Sequence, residues 1–283
     1  MADSLYYPKD CSSMYIRRTT VVAMAAVTTA ALTLGGCDDG RPVAVGSGEK
    51  GRPRPMSTAE GAFDVEKAVR DADPTPYSAH MESDSFVGGK VTMSISGRFN
   101  LNSRGGATAR VHSGGGMPAD QAVDEDVVMT AKSIYRKDLT RGVDSPWQEE
   151  KNDGRQMGNE YANYARLMLG LGPETRKGME RLDGVPVYRL SAALSNDQIT
   201  AADPAAGEKV RAIQKGAKIP CDLLINKDGR VVRMEQWLGR TAAAHTVITM
   251  TDMLPGTYKV TPPTEVIPAS PDPDPEPNPA RDA

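Results

Sequence analysis

Residues 91–101 read VTMSISGRFNL, and their alternation decides the class of fold. Val91, Met93, Ile95, Phe99 and Leu101 fall on one side of an extended chain. Thr92, Ser94, Ser96, Arg98 and Asn100 fall on the other. Period two sustained over this length predicts a β-strand with one apolar and one wet face. Asn102-Ser103-Arg104-Gly105-Gly106 follows as a turn, so Ala107–His112 is predicted to pair back on the first strand. Residues 127–136 hold a further strand or a hairpin's worth of strand, ending in Ser133-Ile134-Tyr135.

The same signals recur towards the C-terminus. Residues 177–190 read as a strand interrupted at Asp183-Gly184. CDLLINKDGRVVRMEQWLG (221–239) gives two strands around a turn at Asn226-Lys227-Asp228-Gly229. Ala243–Thr251, with Val247, Ile248 and Met250, gives another, and Thr257–Val260 a short one before Pro262-Pro263. Three helices are predicted among them. In the first, Ser57 and Glu60 stand at capping-box spacing, Ala62, Val65, Val69 and Ala72 recur at helical intervals, and Asp73-Pro74 stops the run. In the second, Asn159–Leu169, one face carries Tyr161, Tyr164, Ala165 and Met168. The third runs from an N-cap at Asp203 through Pro204 to Gly216, with Ala206, Val210 and Ile213 as its stripe. The sum is an α+β domain: a large curved antiparallel sheet with about three helices gathered on one side. No repeat of solenoid period is present.

The chain ends carry different signals. Val21–Leu34 is an uncharged run of about fourteen residues, short of the roughly 18–20 that span a bilayer. Arg17-Arg18 precede it and Gly35-Gly36 follow, which is signal-peptide order. Leu34-Gly35-Gly36-Cys37 resembles the bacterial lipobox, which implies cleavage before Cys37 and a diacylglyceryl group on its thiol. The export route, general or twin-arginine, is left open, since Thr20 stands where the twin-arginine pattern prefers an apolar residue. Two starts are also open, Met1 and Met14. Residues 1–36 are thus read as a leader and 37–56, rich in Gly, Pro and charge, as the lipidated Cys with a flexible tether. Residues 57–267 form the domain, and 268–283 (PASPDPDPEPNPARDA from Pro268) a disordered, acidic, proline-rich tail.

Charge and cysteine content narrow the partners. The formal net charge is −3 and becomes slightly more negative without the leader. There is no basic block, so nucleic acid is not an expected partner. Of the three cysteines, Cys11 leaves with the leader and Cys37 takes the lipid. Cys221 then has no partner for a disulfide and is read as a small buried strand residue, so the fold must rest on its apolar core. A monomer is expected, and no cofactor.

Three stretches resemble the LolA/LppX/LprG-like superfamily of lipoproteins. Leu182-Asp183-Gly184-Val185-Pro186-Val187-Tyr188-Arg189-Leu190 is similar to its "DGV-x-x-Y" strand. Pro220 to Arg233 (PCDLLINKDGRVVR) is similar to its "DVWID-x-DGRVRR" hairpin. Thr249-Met250-Thr251-Asp252-Met253 through Pro262-Pro263 is similar to its closing "x-F-S-D-x-G-x-P-V-x-V-x-x-P-P". Leu224 stands where the family often has a bulky aromatic, and Met253-Leu254-Pro255-Gly256 replaces a shorter turn. The resemblance implies an incomplete β-barrel with its helices on the concave side and an apolar space between them. It implies a lipid-anchored protein on the outer face of the cell membrane that binds a lipid or lipoglycan there, for carriage across the envelope. The alternative is an envelope sensor or protein-interaction module of the same fold with no transported ligand.

The residues expected to line such a cavity are Val91, Met93, Ile95 and Phe99 on the alternating strand. Met168 and Val210 would come from helices, and Ile225, Met234, Ile248 and Met250 from later strands. Methionine, at 14 residues against 3 phenylalanines, supplies a flexible, polarizable lining. For any one of these residues, filling a closed core is the simpler role.

Catalytic motifs are lacking. Three histidines (His80, His112, His245) form no HExxH and no metal-ligand spacing with cysteine. There is no G-x-S-x-G elbow or Walker loop. His112-Ser113-Gly114-Gly115-Gly116 reads as a strand connection. Asp124-Glu125-Asp126 lacks the glycine and spacing of a calcium loop and reads as a solvated turn. Trp147 and Trp237 read as core or rim packing. No enzymatic activity is expected; the rival is a hydrolase with an unrecognised site.

Overall fold

The computed structural model describes residues 54–55, 63–115, 122–140, 145–152, 157–213, 216, 218–238 and 244–268. The leader, Cys37, the capping pair Ser57/Glu60 and the tail beyond 268 lie outside them.

In chain order the elements are β1 (Arg54–Pro55), α1 (Val65–Asp71), β2 (Tyr77–Val87), β3 (Lys90–Leu101), β4 (Ala107–Ser113), β5 (Asp124–Met129), β6 (Ser133–Asp138) and β7 (Trp147–Lys151). Then come α2 (Asn159–Gly170), a 3-10 turn at Pro173–Thr175, β8 (Arg176–Leu182), β9 (Val185–Leu194), α3 (Asn196–Ala202) and α4 (Pro204–Ile213). The chain closes with β10 (Ile219–Ile225), β11 (Val231–Leu238), β12 (Ala244–Pro255) and β13 (Val266–Pro268).

All thirteen strands belong to one sheet, in the order β1-β8-β9-β10-β11-β12-β2-β3-β4-β5-β6-β7-β13. The expected curved, antiparallel incomplete barrel is therefore corrected on three counts. The sheet is mixed, because β13 runs parallel to β7. It is open and not strongly curved: β1 and β13 are its two edges, and no pairing joins them. Four α-helices are present among the described residues, not three. The physical reason lies at the edges. Alternation reports which face each residue takes, but closure needs edge strands able to exchange hydrogen bonds. Here both edge strands are two or three residues long and each contains a proline, Pro55 and Pro268, which removes one of the few donors a closing partner could use.

Local sequence explains the helices. Asp64 caps α1 by accepting from the Lys67 amide at 2.9 Å, and Lys67 and Asp71 pair one turn apart. Ser195 and Gln198 close a complete capping box on α3. Asp203 caps α4 as expected, accepting from the Ala205 and Ala206 amides at 3.1 and 3.2 Å. On α2 the face foreseen is the buried one: Tyr161, Tyr164, Ala165 and Met168 are all within 4% of full burial.

The four helices and one face of the sheet share a single apolar cluster. Each Val, Leu, Ile, Phe or Met side chain fully buried in it stabilises the fold by roughly 1.5–3 kcal/mol. The hairpin between β10 and β11 docks against α1 at Gly229. A Cβ there would stand 2.0 Å from the Ala68 carbonyl oxygen, and φ is +75°. Only glycine satisfies both conditions. A second, small cluster of Leu182, Val187 and Leu224 covers the opposite face near the β8 edge.

Residues 257–263, expected to include a short strand, are irregular. Their backbone is instead held by a side chain: Asn100 accepts from the Tyr258 amide at 2.9 Å and donates to the Tyr258 carbonyl at 3.0 Å. The Tyr258 hydroxyl donates to the Arg98 carbonyl at 2.7 Å. The segment thus straps the outer face of β3 before β13 joins the far edge.

Candidate functional site

Strand register builds the helix-covered face row by row. Ile95 pairs with Ser83 and Val111, Ser83 with Ile248, Ile248 with Met234, and Met234 with Leu223. One row deeper, Met81 lies between Met250 and Gly97. Gly97 leaves no room for a side chain, since a Cβ would meet the Thr108 carbonyl at 2.2 Å. Helix α2 lies over these rows, and the Tyr161 hydroxyl approaches the Met81 sulfur at 3.8 Å.

The ten residues expected to line a cavity are placed as follows. Phe99, Met168 and Ile225 are fully buried, and Ile95, Met234, Ile248, Met250 and Val210 nearly so; all eight belong to the one core cluster. Met93 is half-buried and packs against that cluster. Val91, also half-buried, stands at the end of β3 outside it. The face is thus tight at its centre and more open towards Met93, whereas Val91, expected on the same side, is turned away: an irregularity in register pairs it with Phe86 of the outer face.

Sequence reading missed what lies beside Met93. Ser85 faces Met93 across β2–β3, Thr246 faces Ser85, Gln236 faces Thr246 and Cys221 faces Gln236. A polar line therefore crosses four strands on an otherwise apolar face. Ser85 and Thr246 share a hydrogen bond of 3.3 Å. The Gln236 amide neighbours both the Tyr164 hydroxyl and the Cys221 thiol. Burial pushes both of those groups up in pKa, with Gln236 pulling the other way. Cys221 is free and fully buried, so its thiol stays protonated and inert. A signal that could have found this line is the alternation of Ser83 and Ser85 with charged or aromatic neighbours in β2, a segment left unassigned on sequence alone.

The outer face is different. Phe86 and His245 stack with ring centroids 4.4 Å apart, and Trp237 follows at 6.4 Å. Burial holds His245 below its ordinary pKa of 6.5. Trp147 borders a groove of about 370 Å³ with Ser96, Thr108 and Arg110.

Titratable groups on this face form ion pairs rather than a catalytic constellation. Asp124 and Asp126 face Arg110. Glu125 alternates to the other face, where it accepts from Arg136 at 2.7 Å and burial raises its pKa. Three carboxylates in a row therefore make no cup. His80 Nε2 lies 3.5 Å from the Ser96 hydroxyl and 3.6 Å from a Glu82 oxygen. One ring nitrogen serves both neighbours, so no relay from acid through imidazole to hydroxyl exists. His112 stands 3.7 Å from Asp124, exposed. Among the described residues no group of three or more His, Cys, Asp or Glu could hold a metal ion, and no helix is long and apolar enough to cross a membrane.

No family profile matches the chain, and no curated protein does. Among solved structures it is similar to LprF from Mycobacterium bovis, at 14% identity and a TM-score of 0.43, over 71% of this chain and 96% of that one. It is similar to lipoprotein LppX from Mycobacterium tuberculosis at 15% identity and 0.41, over 70% and 96%. A LolA superfamily protein from Nitrosomonas europaea gives 10% identity and 0.27, over 69% and 93%. At these identities and scores the likeness concerns the fold alone and points to no particular member.

Proposed function

We propose that the protein is a membrane-anchored lipoprotein that binds a hydrophobic ligand, a lipid or lipoglycan, in an apolar cleft between its helices and the covered face of its sheet. Cys37 carries the diacylglyceryl anchor at the outer face of the cell membrane, and the tether lets the domain reach over the surface. Two acyl chains hold such an anchor firmly where one would not. The ligand lining is the set from Met93 to Met250 named above, and the domain acts as a monomer.

The observation that carries this reading is the covered face itself. Apolar side chains run along it from tightly packed Phe99 and Ile95 to half-buried Met93, with Ser83 and the polar line as the polar members among the rows. An acyl chain entering at Met93 gains roughly 0.8 kcal/mol for each CH₂ it buries. The methionines along the way, Met81, Met234 and Met250, can change rotamer to admit it without breaking packing.

Mass spectrometry of the exported full chain, released from detergent micelles, tests the proposal. The denaturing mass reports the covalent anchor on Cys37. The native mass is expected to exceed it by one lipid that leaves on denaturation. Equal native and denaturing masses, persisting after incubation with phosphatidylglycerol and phosphatidylethanolamine vesicles, would instead favour a protein-interaction module.

A further inference from the structure

Among the described residues three large hydrophobic side chains stand exposed: Val185, Leu254 and Ile267, at 58%, 53% and 45%. Two of them lie together. Tyr188 pairs with Ile225, Ile225 with Val231, Arg233 with Thr249 and Ser78 with Leu254. The β8–β9 turn, the β10–β11 turn and the bulged end of β12 therefore form one end of the sheet. Val185 and Leu254 stand about 14 Å apart there, across three strand spacings. Both also take the outer face. Val185 is two residues from Val187 of the small apolar cluster on that face, and Leu254 faces Ser78, itself opposite Asn100 under the strap. Each is followed by an exposed proline, Pro186 and Pro255.

This end can meet hydrocarbon without stranding its turns. The two prolines bring no amide N–H. Arg181 donates to the Gly184 carbonyl at 2.9 Å, and the Gly256 amide donates to the Pro76 carbonyl at 3.0 Å. Charges balance: Arg181, Lys227 and Arg230 stand against Asp183, Asp228 and Asp252, so no one sign of headgroup is selected. The chain upstream fixes the occupant. β1 runs antiparallel to β8, with Arg54 opposite Arg181 and Pro55 opposite Glu180, so its N-terminal end points to the β8–β9 turn. The stretch from Cys37 to Arg54 reaches at most roughly 60 Å when fully extended. The opposite end of the sheet lies one β2 length away, about 35 Å. An anchor at Cys37 thus lets the Val185–Leu254 end rest on the bilayer with slack, whereas seating the opposite end would use most of that reach.

We infer that Val185 and Leu254, with the β10–β11 turn between them, form a membrane-contact surface that seats the domain on the bilayer holding its own anchor. The inference rests on the lipid-anchored reading above and adds a second contact, made by the folded domain itself. Val185 and Leu254 enter the acyl boundary, Pro186 and Pro255 lie at the headgroup level beside them, and Lys227 stands at the lipid surface. An apolar area this small gives a shallow, reversible contact.

The experiment reconstitutes the exported full chain, through its own anchor, into vesicles of phosphatidylethanolamine and phosphatidylglycerol in which some lipids carry a nitroxide on the acyl chain. Cys221 is buried, so a fluorophore can be placed on Lys227→Cys or on Lys90→Cys, an exposed position at the opposite end of the sheet. The denaturing mass of each chain reports the diacylglyceryl group. Quenching at 227 is expected to exceed that at 90 severalfold and to persist in high salt, which screens headgroup attraction. Adding Val185→Asp/Leu254→Asp, both positions more than half exposed, is expected to cut the quenched fraction at 227 by about tenfold or more with Tm unchanged, since burying either side chain alone is worth about that factor. Should that pair fail to fold, Leu254→Asp alone is expected to move the quenching the same way. Equal quenching at the two positions, stronger quenching at 90, or quenching that the substitutions leave unmoved overturns the contact surface alone and leaves the anchor standing. A denaturing mass without the diacylglyceryl group overturns the lipid-anchored reading, and the contact surface with it.

Discussion

His245 shows how a single side chain on this sheet ties packing to pH. It stacks between Phe86 and Trp237 on the outer face, and burial is the largest cause holding its pKa down, ahead of the opposing Glu235 charge. The unfolded chain takes up its proton near the ordinary value of 6.5, whereas the folded chain does so only at lower pH. The stabilisation is therefore complete above 6.5 and is lost as pH falls below it. Wild-type Tm is expected to fall more between pH 7.5 and pH 5.5 than that of His245→Phe, which keeps the ring stack without the titration. Parallel Tm profiles for the two proteins would remove His245 from the pH response. Nothing in the sequence around His245 marked it for this role, because its ring neighbours come from two other strands. The residues legible in advance were those whose periodicity alone fixed a face, such as Ile95, Phe99, Tyr164 and Met168.

At the scale of elements, the strongly patterned segments were legible and the weakly patterned ones were not. β3 and the β10–β11 hairpin follow from alternation and turn chemistry. β2 escaped because Ser83 and Ser85 occupy covered positions of YSAHMESDSFV, so its alternation does not read as apolar against polar. Yet β2 joins β3 to β12 and so unites the two halves of the sheet. α3 escaped although Ser195 and Gln198 spell a capping box, a local signal that could have found it. The terminal strap was misread as a strand because its partner is a side chain, Asn100, rather than a ladder. Asn100 is 4% exposed, so Asn100→Ala both frees the strap and leaves its backbone groups unpaired. A loss of about 1–3 kcal/mol is expected, with hydrogen exchange at residues 257–268 rising well above wild type. Unchanged protection there would show that β13 alone holds the strap.

For the whole molecule, the open sheet bears on the ligand question. A closed barrel would enclose a guest within strands alone. This sheet is covered by α2 and its companion helices, so under the proposed acyl binding a ligand would pass between helix and strand, at the half-buried end by Met93. That architecture was beyond the reach of sequence, since closure is decided by two- and three-residue edge strands that carry almost no pattern. Burial was within reach, because eight of the ten residues named as a cavity lining have a periodic place in strand or helix and are buried in one cluster, as side chains filling a core would be. The most direct measurement is photocrosslinking of the full chain with a diacylglycerol bearing a diazirine midway along one acyl chain, followed by peptide mapping of the labelled positions. Labels on Met93, Ile95, Met234 and Ile248 are expected. Labels confined to the outer face around Phe86 and Trp237, or none at all, would contradict the account.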